Sequence, residues 1–144
     1  MLLSLLSNHT GFNMATILIM GLSGSGKTTL AHELLKSIDA TYLNADSGIR
    51  QANRMRVLSN RADSPYVIAD FICPTDQARV DFNPDYIVWV NTVTSSQYAD
   101  TDMIFQKPKN ADFIVTTKDF KFWVPLIARD ILAIEIETFS LAWV

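Results

Sequence analysis

Short apolar runs alternate along the chain with segments in which apolar residues recur every three or four positions. Apolar runs bounded by turn residues are typical of buried strands, and the longer spacing is typical of amphipathic helices. The pattern predicts five strands, at residues 16–20, 41–44, 66–69, 86–90 and 113–116. It predicts helices at residues 27–37, 46–59, 75–81 and 118–134.

Two segments do not follow this alternation. Residues 91–110 are polar and poorly periodic, and we interpret them as a loop that has room for one helical turn. The tail at residues 135–144 fits an edge strand as well as a continuation of the last helix. Pro125 is acceptable in that helix only within its first turns.

Regular alternation of strand and helix predicts an α/β fold in three layers, in which helices cover both faces of a mainly parallel, five-stranded sheet. Ligands of such sheets bind at the carboxyl ends of the strands. The residues that directly follow each predicted strand are therefore the functional candidates, namely residues 21–29, 44–46, 70–75, 91–94 and 116–117.

The length of 144 residues is that of a single domain. We place this domain at residues 14–144, because Met14 stands directly before the first predicted strand. Residues 1–13 are interpreted as an N-terminal extension. The extension is rich in leucine but lacks the basic start and the cleavage site of a secretory signal.

Charge and composition narrow the class of protein. A net charge of −3 argues against a general nucleic-acid binder, which is usually basic. No apolar run approaches the 18 residues that indicate a membrane span. The single cysteine, Cys73, excludes an internal disulfide and is compatible with a reducing compartment. We expect a cytoplasmic protein with a small-molecule partner, and besides a monomer we allow for a homodimer.

Residues 21–29, GLSGSGKTT, match the P-loop pattern G-x-x-x-x-G-K-S/T. The match lies between a predicted strand and a predicted helix, which is the context that the motif requires. The backbone N–H groups of such a loop and the positive end of the helix surround phosphate groups. We therefore expect ATP to be bound by Gly21, Leu22, Ser23, Gly24, Ser25, Gly26, Lys27, Thr28 and Thr29.

Three residues near the phosphates are candidates for catalysis or metal binding. Lys27 is predicted to reach the β- and γ-phosphates, and the Thr28 hydroxyl to bind Mg²⁺. Asp70 ends an apolar strand, as a Walker-B aspartate does, and is the second predicted magnesium ligand. The alternative for Asp70 is a cap at the end of the strand.

The segment after the second strand carries the candidates for the acceptor. Asp46 is placed to accept a proton from a substrate hydroxyl or to hold magnesium through water, and its alternative role is a helix N-cap. Arg50, Asn53 and Arg54 share one face of the predicted helix. Arginine binds phosphate or sulfate oxygens bidentately. The alternative is a solvated basic face.

Taken in order, these motifs resemble the adenylylsulfate kinase family, whose members phosphorylate the 3′-hydroxyl of adenosine 5′-phosphosulfate. The family's P-loop typically reads GLSGSGKST. Its L-D-G-D, R-x-x-N-I-R-R, F-I-S-P and P-E-N-P-D-L-V-I segments are similar to residues 43–46, 50–56, 71–74 and 108–115. Asp46 matches the second aspartate of L-D-G-D, whereas Asn44 replaces the first. Arg79 matches an arginine five residues past the proline of F-I-S-P.

The resemblance implies a kinase of sulfate assimilation that uses ATP and Mg²⁺, with Lys27 and Asp46 as catalytic residues. The acceptor pocket is expected opposite the P-loop. Arg50 would meet the phosphosulfate, and the residues around Phe71 would pack against the base. The full expected lining is Arg50, Asn53, Phe71, Ile72, Cys73 and Pro74.

The chain departs from the family where the family encloses its substrate. The D-L-G-F-S segment is missing between Asp46 and Arg50, the lid after the fourth strand is short, and Ala99 stands where the family has arginine. ATP use is therefore better supported than the acceptor. The alternatives are a kinase of another nucleoside, nucleotide or modified-base hydroxyl, and a nucleotide-binding protein with little catalysis.

Overall fold

The structure is a computed structural model that describes residues 15–45 and 51–142. Its helices and strands alternate along the chain as the sequence predicts. The strands are β1 (Ala15–Met20), β2 (Ala40–Asn44), β3 (Tyr66–Asp70), β4 (Tyr86–Val90) and β5 (Phe113–Val115). The helices are α1 (Lys27–Leu35), α2 (Ala52–Arg61), α3 (Asp76–Phe82), α4 (Ala99–Ile104) and α5 (Phe120–Ala142).

The five strands form one sheet in the order β2-β3-β1-β4-β5, and every neighbouring pair is parallel. The predicted α/β fold is confirmed. Because β3 lies between β1 and β2, the carboxyl end of β2 is one strand away from the end of β1, where the P-loop begins. The carboxyl ends of β1, β2 and β3 therefore form one continuous edge.

Successive residues of β1 point to opposite faces of the sheet, as strand geometry requires. Ile17 and Ile19 belong to a core cluster that also contains residues of α1 and α5. Leu18 and Met20 belong to a second cluster that contains residues of α2 and α3. All six residues of β1 are buried, which explains why five of them are apolar and Thr16 is the one polar residue of the strand. The domain therefore has three layers.

Helices α1, α2 and α5 differ from the sequence expectation by two residues or more at one end at least. Helix α1 ends at Leu35, before the expected residue 37. Helix α2 begins at Ala52, whereas residues 46–50 lie outside the described part of the chain. Helix α5 continues to Ala142, so the tail extends the helix up to that residue. One contact that holds this extension is the 2.6 Å hydrogen bond from the Tyr86 hydroxyl to Glu135.

Within residues 15–45 and 51–142, no helix is both long enough and apolar enough to cross a membrane. The predicted N-terminal extension, residues 1–13, lies outside the described residues, and so do Asp46 and Arg50.

Candidate functional site

The P-loop connects the carboxyl end of β1 to the first turn of α1. Glycine is required at both ends of the loop. Gly26 caps α1 with φ +105°, and a Cβ there would lie 2.5 Å from Cζ of Phe120. A Cβ on Gly21, where φ is +149°, would lie 2.5 Å from the carbonyl oxygen of Val90. The loop therefore approaches its neighbours more closely than any other residue type allows.

Loops that follow three other strands hold the P-loop from outside. The Thr92 hydroxyl, after β4, donates to the carbonyl of Ser25 at 2.6 Å. The Lys118 ammonium, after β5, donates to the carbonyl of Gly24 at 3.1 Å. The Gly21 N–H donates to the carbonyl of Ile72, after β3, at 3.4 Å. These contacts join the P-loop to the loops that follow β3, β4 and β5.

Lys27 folds back over the loop, and its ammonium donates to the carbonyl of Leu22 at 3.0 Å. Burial lowers the pKa of this lysine from its ordinary 10.5, and the Asp70 carboxylate partly opposes that shift. Burial destabilises the charged form of a lysine, and a nearby anion stabilises that form again. A phosphate group would supply that charge.

Asp70, at the end of β3, accepts hydrogen bonds from three side chains, although only 1% of its surface is exposed. Thr28 Oγ1, Tyr42 OH and Asn44 Nδ2 lie 2.8, 2.7 and 3.0 Å from Asp70 Oδ2. Asn44 also stands beside Asp70 in the register of β2 and β3. Burial raises the pKa of the Tyr42 hydroxyl above 10, and the bond to Asp70 raises it further, so this group stays a donor.

The donor set fits a magnesium ion held together with a nucleotide. A threonine hydroxyl that gives its proton to a carboxylate keeps its lone pairs for a cation. Among residues 15–45 and 51–142, no group of three or more His, Cys, Asp or Glu side chains forms a metal cage. Mg²⁺ usually takes one or two protein oxygens and completes its shell with water and phosphate. Thr28 and Asp70 match that requirement.

A cleft of about 670 Å³ extends from the P-loop to the carboxyl ends of β2 and β3. Its volume lies in the range of small-molecule sites. The cleft brings residues of the predicted ATP-binding loop together with Phe71 and Ile72 of the predicted acceptor pocket. Its lining residues are Ser23, Gly24, Gly26, Lys27, Thr28, Thr29, Asn44, Ala45, Asp70, Phe71, Ile72 and Tyr98.

Of the other predicted acceptor residues, those that the structure describes, Asn53, Cys73 and Pro74, do not line this cleft. Cys73 is buried in the second core cluster with φ +47°, and burial raises the pKa of its thiol to about 12. Pro74 is also buried, and Asn53 is exposed on α2. Asp46 and Arg50 lie outside the described residues, so their expected roles remain predictions.

Arg79 is a structural residue in this fold. Only 6% of its surface is exposed, and its guanidinium donates to the backbone carbonyls of Cys73, Pro74 and Gln106. It also pairs with Asp76 at 3.0 Å. These partners tie the segment after β3 to the loop after α4, and they leave the guanidinium engaged within the protein.

Sequence reasoning missed Tyr42 and Tyr98 as residues of the site. Tyr42 could have been predicted from the sequence. It lies two residues before Asn44 in a predicted strand, so both side chains lie on the same face of that strand. Tyr98 lies in the irregular segment before α4, where no periodic pattern marks a position. Lys118 reaches a partner 94 residues away in the sequence, and no local pattern signals such a contact.

Comparisons with known proteins agree with this geometry. The model of a family described as an AAA domain matches residues 17–101, which is more than half of the chain. No curated protein sequence matches the chain significantly.

Similar solved structures have the same fold. The crystal structure of APE1195 has a TM-score of 0.63 at 18% identity, over 86% of this chain and 96% of that one. A mutant of the Mycobacterium tuberculosis APS kinase CysC has a TM-score of 0.52 at 23% identity, over 89% of this chain and 98% of that one. The P-loop, the parallel sheet and the family match support a nucleotide-binding P-loop fold. The chain belongs to the family of P-loop proteins described as AAA domains.

Proposed function

We propose that the protein is an ATP-dependent kinase that transfers the γ-phosphate to a hydroxyl group. The observation that carries this proposal is the convergence of Lys27 and the Thr28–Asp70 pair on one cleft that continues past the P-loop. A phosphate site alone needs no such extension, whereas a kinase needs room for an acceptor beside the γ-phosphate.

Each of these residues has a separate role in the proposed phosphoryl transfer. Lys27 and the N-terminus of α1 would neutralise the phosphates, while Thr28 and Asp70 would hold Mg²⁺, which supplies further charge neutralisation at the β- and γ-oxygens. A bond forms between the acceptor oxygen and the γ-phosphorus, and the bond from that phosphorus to the β–γ bridging oxygen breaks. ADP leaves, and we assign the hydroxyl proton to Asp46.

Adenosine 5′-phosphosulfate is the first-choice acceptor. Its support is the ordered series of motifs shared with adenylylsulfate kinases and the likeness of the fold to a protein described as an APS kinase. Phe71 and Ile72 line the cleft at the end of β3, where a base would pack against them. Arg50 is assigned to the phosphosulfate.

A second candidate acceptor is a less anionic hydroxyl compound, such as a nucleoside or a modified base. The observation that favours it concerns Arg79. Its guanidinium already binds backbone carbonyls and Asp76, so it is not free to bind an anionic acceptor. Among the described residues that line the cleft, only Lys27 and Asp70 are charged, and both are assigned to the nucleotide and its magnesium.

Purified protein with MgATP and a panel of acceptors tests the proposal. The panel contains adenosine 5′-phosphosulfate, nucleosides, nucleotides and modified nucleosides, and the readouts are ADP formation and the mass of the product. A 3′-phosphorylated adenylylsulfate supports the first acceptor, and a phosphorylated nucleoside supports the second. ATP binding without transfer to any acceptor would contradict the kinase assignment.

Two variants sharpen the same assay. Lys27→Ala should abolish transfer and weaken nucleotide binding, because it removes the cation that balances the β- and γ-phosphates. Arg50→Ala should raise KM for adenosine 5′-phosphosulfate and leave ATP binding nearly unchanged. Arg61→Ala, at an exposed arginine in the last turn of α2, is the matched control and should change neither quantity.

A further inference from the structure

We infer that Tyr42 and Asn44 are positioning residues that fix the Asp70 carboxylate for magnesium. We call the two side chains the β2 brace. The inference rests on the proposed function, in which Thr28 and Asp70 hold the metal. It adds that the metal site depends on a strand that does not touch the P-loop strand, because β3 separates β2 from β1.

The two side chains of the β2 brace bind the same oxygen of Asp70 and also contact each other. Tyr42 OH and Asn44 Nδ2 reach the same oxygen, Asp70 Oδ2, at 2.7 and 3.0 Å, and Asn44 Nδ2 also lies 3.1 Å from Tyr42 OH. The parallel register places Asn44 directly beside Asp70. Tyr42 lies two residues earlier on the same face of β2 and reaches the carboxylate with its longer side chain.

The brace matters because Thr28 cannot hold the carboxylate alone. Thr28 donates the third bond to Oδ2 at 2.8 Å, yet its own oxygen is the expected magnesium ligand. A rotation of the Asp70 carboxylate would break all three bonds to Oδ2 together. Without Tyr42 and Asn44, the only one of these three hydrogen bonds left would be that from Thr28, whose oxygen is also the expected magnesium ligand. Partners of this kind orient metal ligands and set the metal affinity.

The chemistry of position 44 agrees with this role. Adenylylsulfate kinases, which this chain resembles, have aspartate where this chain has Asn44. A carboxylate about 3 Å from Asp70 would repel it, since like charges at that distance disfavour each other. The asparagine amide donates a hydrogen bond instead, so Asp70 is held by neutral donors.

The opposite end of the sheet offers a matched control. The Tyr86 hydroxyl donates to the Glu135 carboxylate at 2.6 Å, which is the same chemical bond as that from Tyr42 to Asp70. Tyr86 begins β4, whereas the P-loop and Asp70 lie at the carboxyl ends of their strands. Tyr86→Phe therefore removes an equivalent bond far from the metal.

The test measures ADP binding by calorimetry with the full chain, first in EDTA and then across a magnesium titration. Tyr42→Phe keeps the ring that contacts His32 and removes only the hydroxyl. We expect this variant to raise the Mg²⁺ concentration for half-maximal tightening of ADP binding by about 10- to 100-fold, the usual effect of losing an outer-shell partner. Metal-free ADP binding should stay unchanged. Asn44→Ala should act in the same direction, and Tyr86→Phe should leave both quantities at the wild-type value.

Each outcome decides the inference. An unchanged magnesium requirement in Tyr42→Phe, with wild-type protein that responds to Mg²⁺, overturns the brace and leaves the proposed kinase intact. An equal shift in Tyr42→Phe and Tyr86→Phe also overturns it, because the effect would then be one of general stability. If Mg²⁺ does not change the ADP affinity of the wild-type protein, both the magnesium site and the β2 brace are overturned.

Discussion

Replacing Gly26 with alanine should destabilise the domain more than the same change at Gly24, although both residues have positive φ. Gly26 has φ +105° and Gly24 has φ +81°, so an alanine is strained at either position. The space around the two differs. A Cβ at position 26 meets the ring of Phe120 at 2.5 and 2.9 Å, whereas a Cβ at position 24 meets nothing within 4 Å.

The magnitudes follow from these two terms. A left-handed backbone costs a residue with a Cβ about 1–2 kcal/mol, which is the whole expected effect of Gly24→Ala. Gly26→Ala adds an overpacking term of about 1–3 kcal/mol, because Phe120 is buried in the first core cluster and must move. Each kcal/mol lowers Tm by about 2–4 °C in a domain near this size.

Urea unfolding of the single variants and of a double variant separates the terms. Phe120→Leu alone should destabilise the wild-type protein, since it leaves a cavity in the core. In the Gly26→Ala background it should stabilise, because it removes the ring atoms that clash. Equal destabilisation by Phe120→Leu in both backgrounds, at an unchanged m-value, would refute the steric reasoning.

Three further predictions concern Asp46, Arg79 and Cys73. Asp46→Asn should lower kcat by about 10²–10⁴-fold if this residue is the general base, and a loss of stability with unchanged kcat would make it a helix cap. Arg79→Ala should lower the free energy of unfolding by roughly 3 kcal/mol, because it leaves buried carbonyls without donors, whereas the exposed control Arg61→Ala should stay within about 0.5 kcal/mol of wild type. At pH 8 a thiol-specific reagent should label Cys73 only as the protein unfolds. A pKa of about 12 in place of 9.0 lowers the thiolate fraction of Cys73 about a thousandfold. Because the pKa is higher in the folded state than in the unfolded state, the stability that this shift contributes is lost as the pH rises above 9. Rapid labelling of the native protein at that pH would contradict the buried position.

The main elements of the candidate nucleotide site depend on local sequence. The P-loop pattern, its flanking strand and helix, and Asp70 at a strand end all depend on residues close together in the chain. The strands themselves were placed to within one residue at each end, because apolar runs of this length are short-range signals. The predicted helix ends differ more from the observed ones. The extension of α5 depends in part on Tyr86, which is 49 residues from its partner Glu135.

The acceptor side was less predictable because it depends on long-range placement. Phe71 and Cys73 are two residues apart in one motif, yet Phe71 lines the cleft and Cys73 packs in the core. Arg79 matched a family arginine by spacing, but the fold surrounds its guanidinium with carbonyls. Spacing gives the order of such residues along the chain, and it does not give the direction of their side chains.

The sequence by itself therefore determined the class of fold, the P-loop motif and the residue types available for the proposed phosphoryl transfer. Tertiary structure alone decided that β3 lies between β1 and β2. That order brings Thr28 from one side and Tyr42 and Asn44 from the other onto a single oxygen of Asp70. The physical reason is that strand order is set by how helices and strands pack as a whole, whereas a motif is set by the bonds that its own backbone can make.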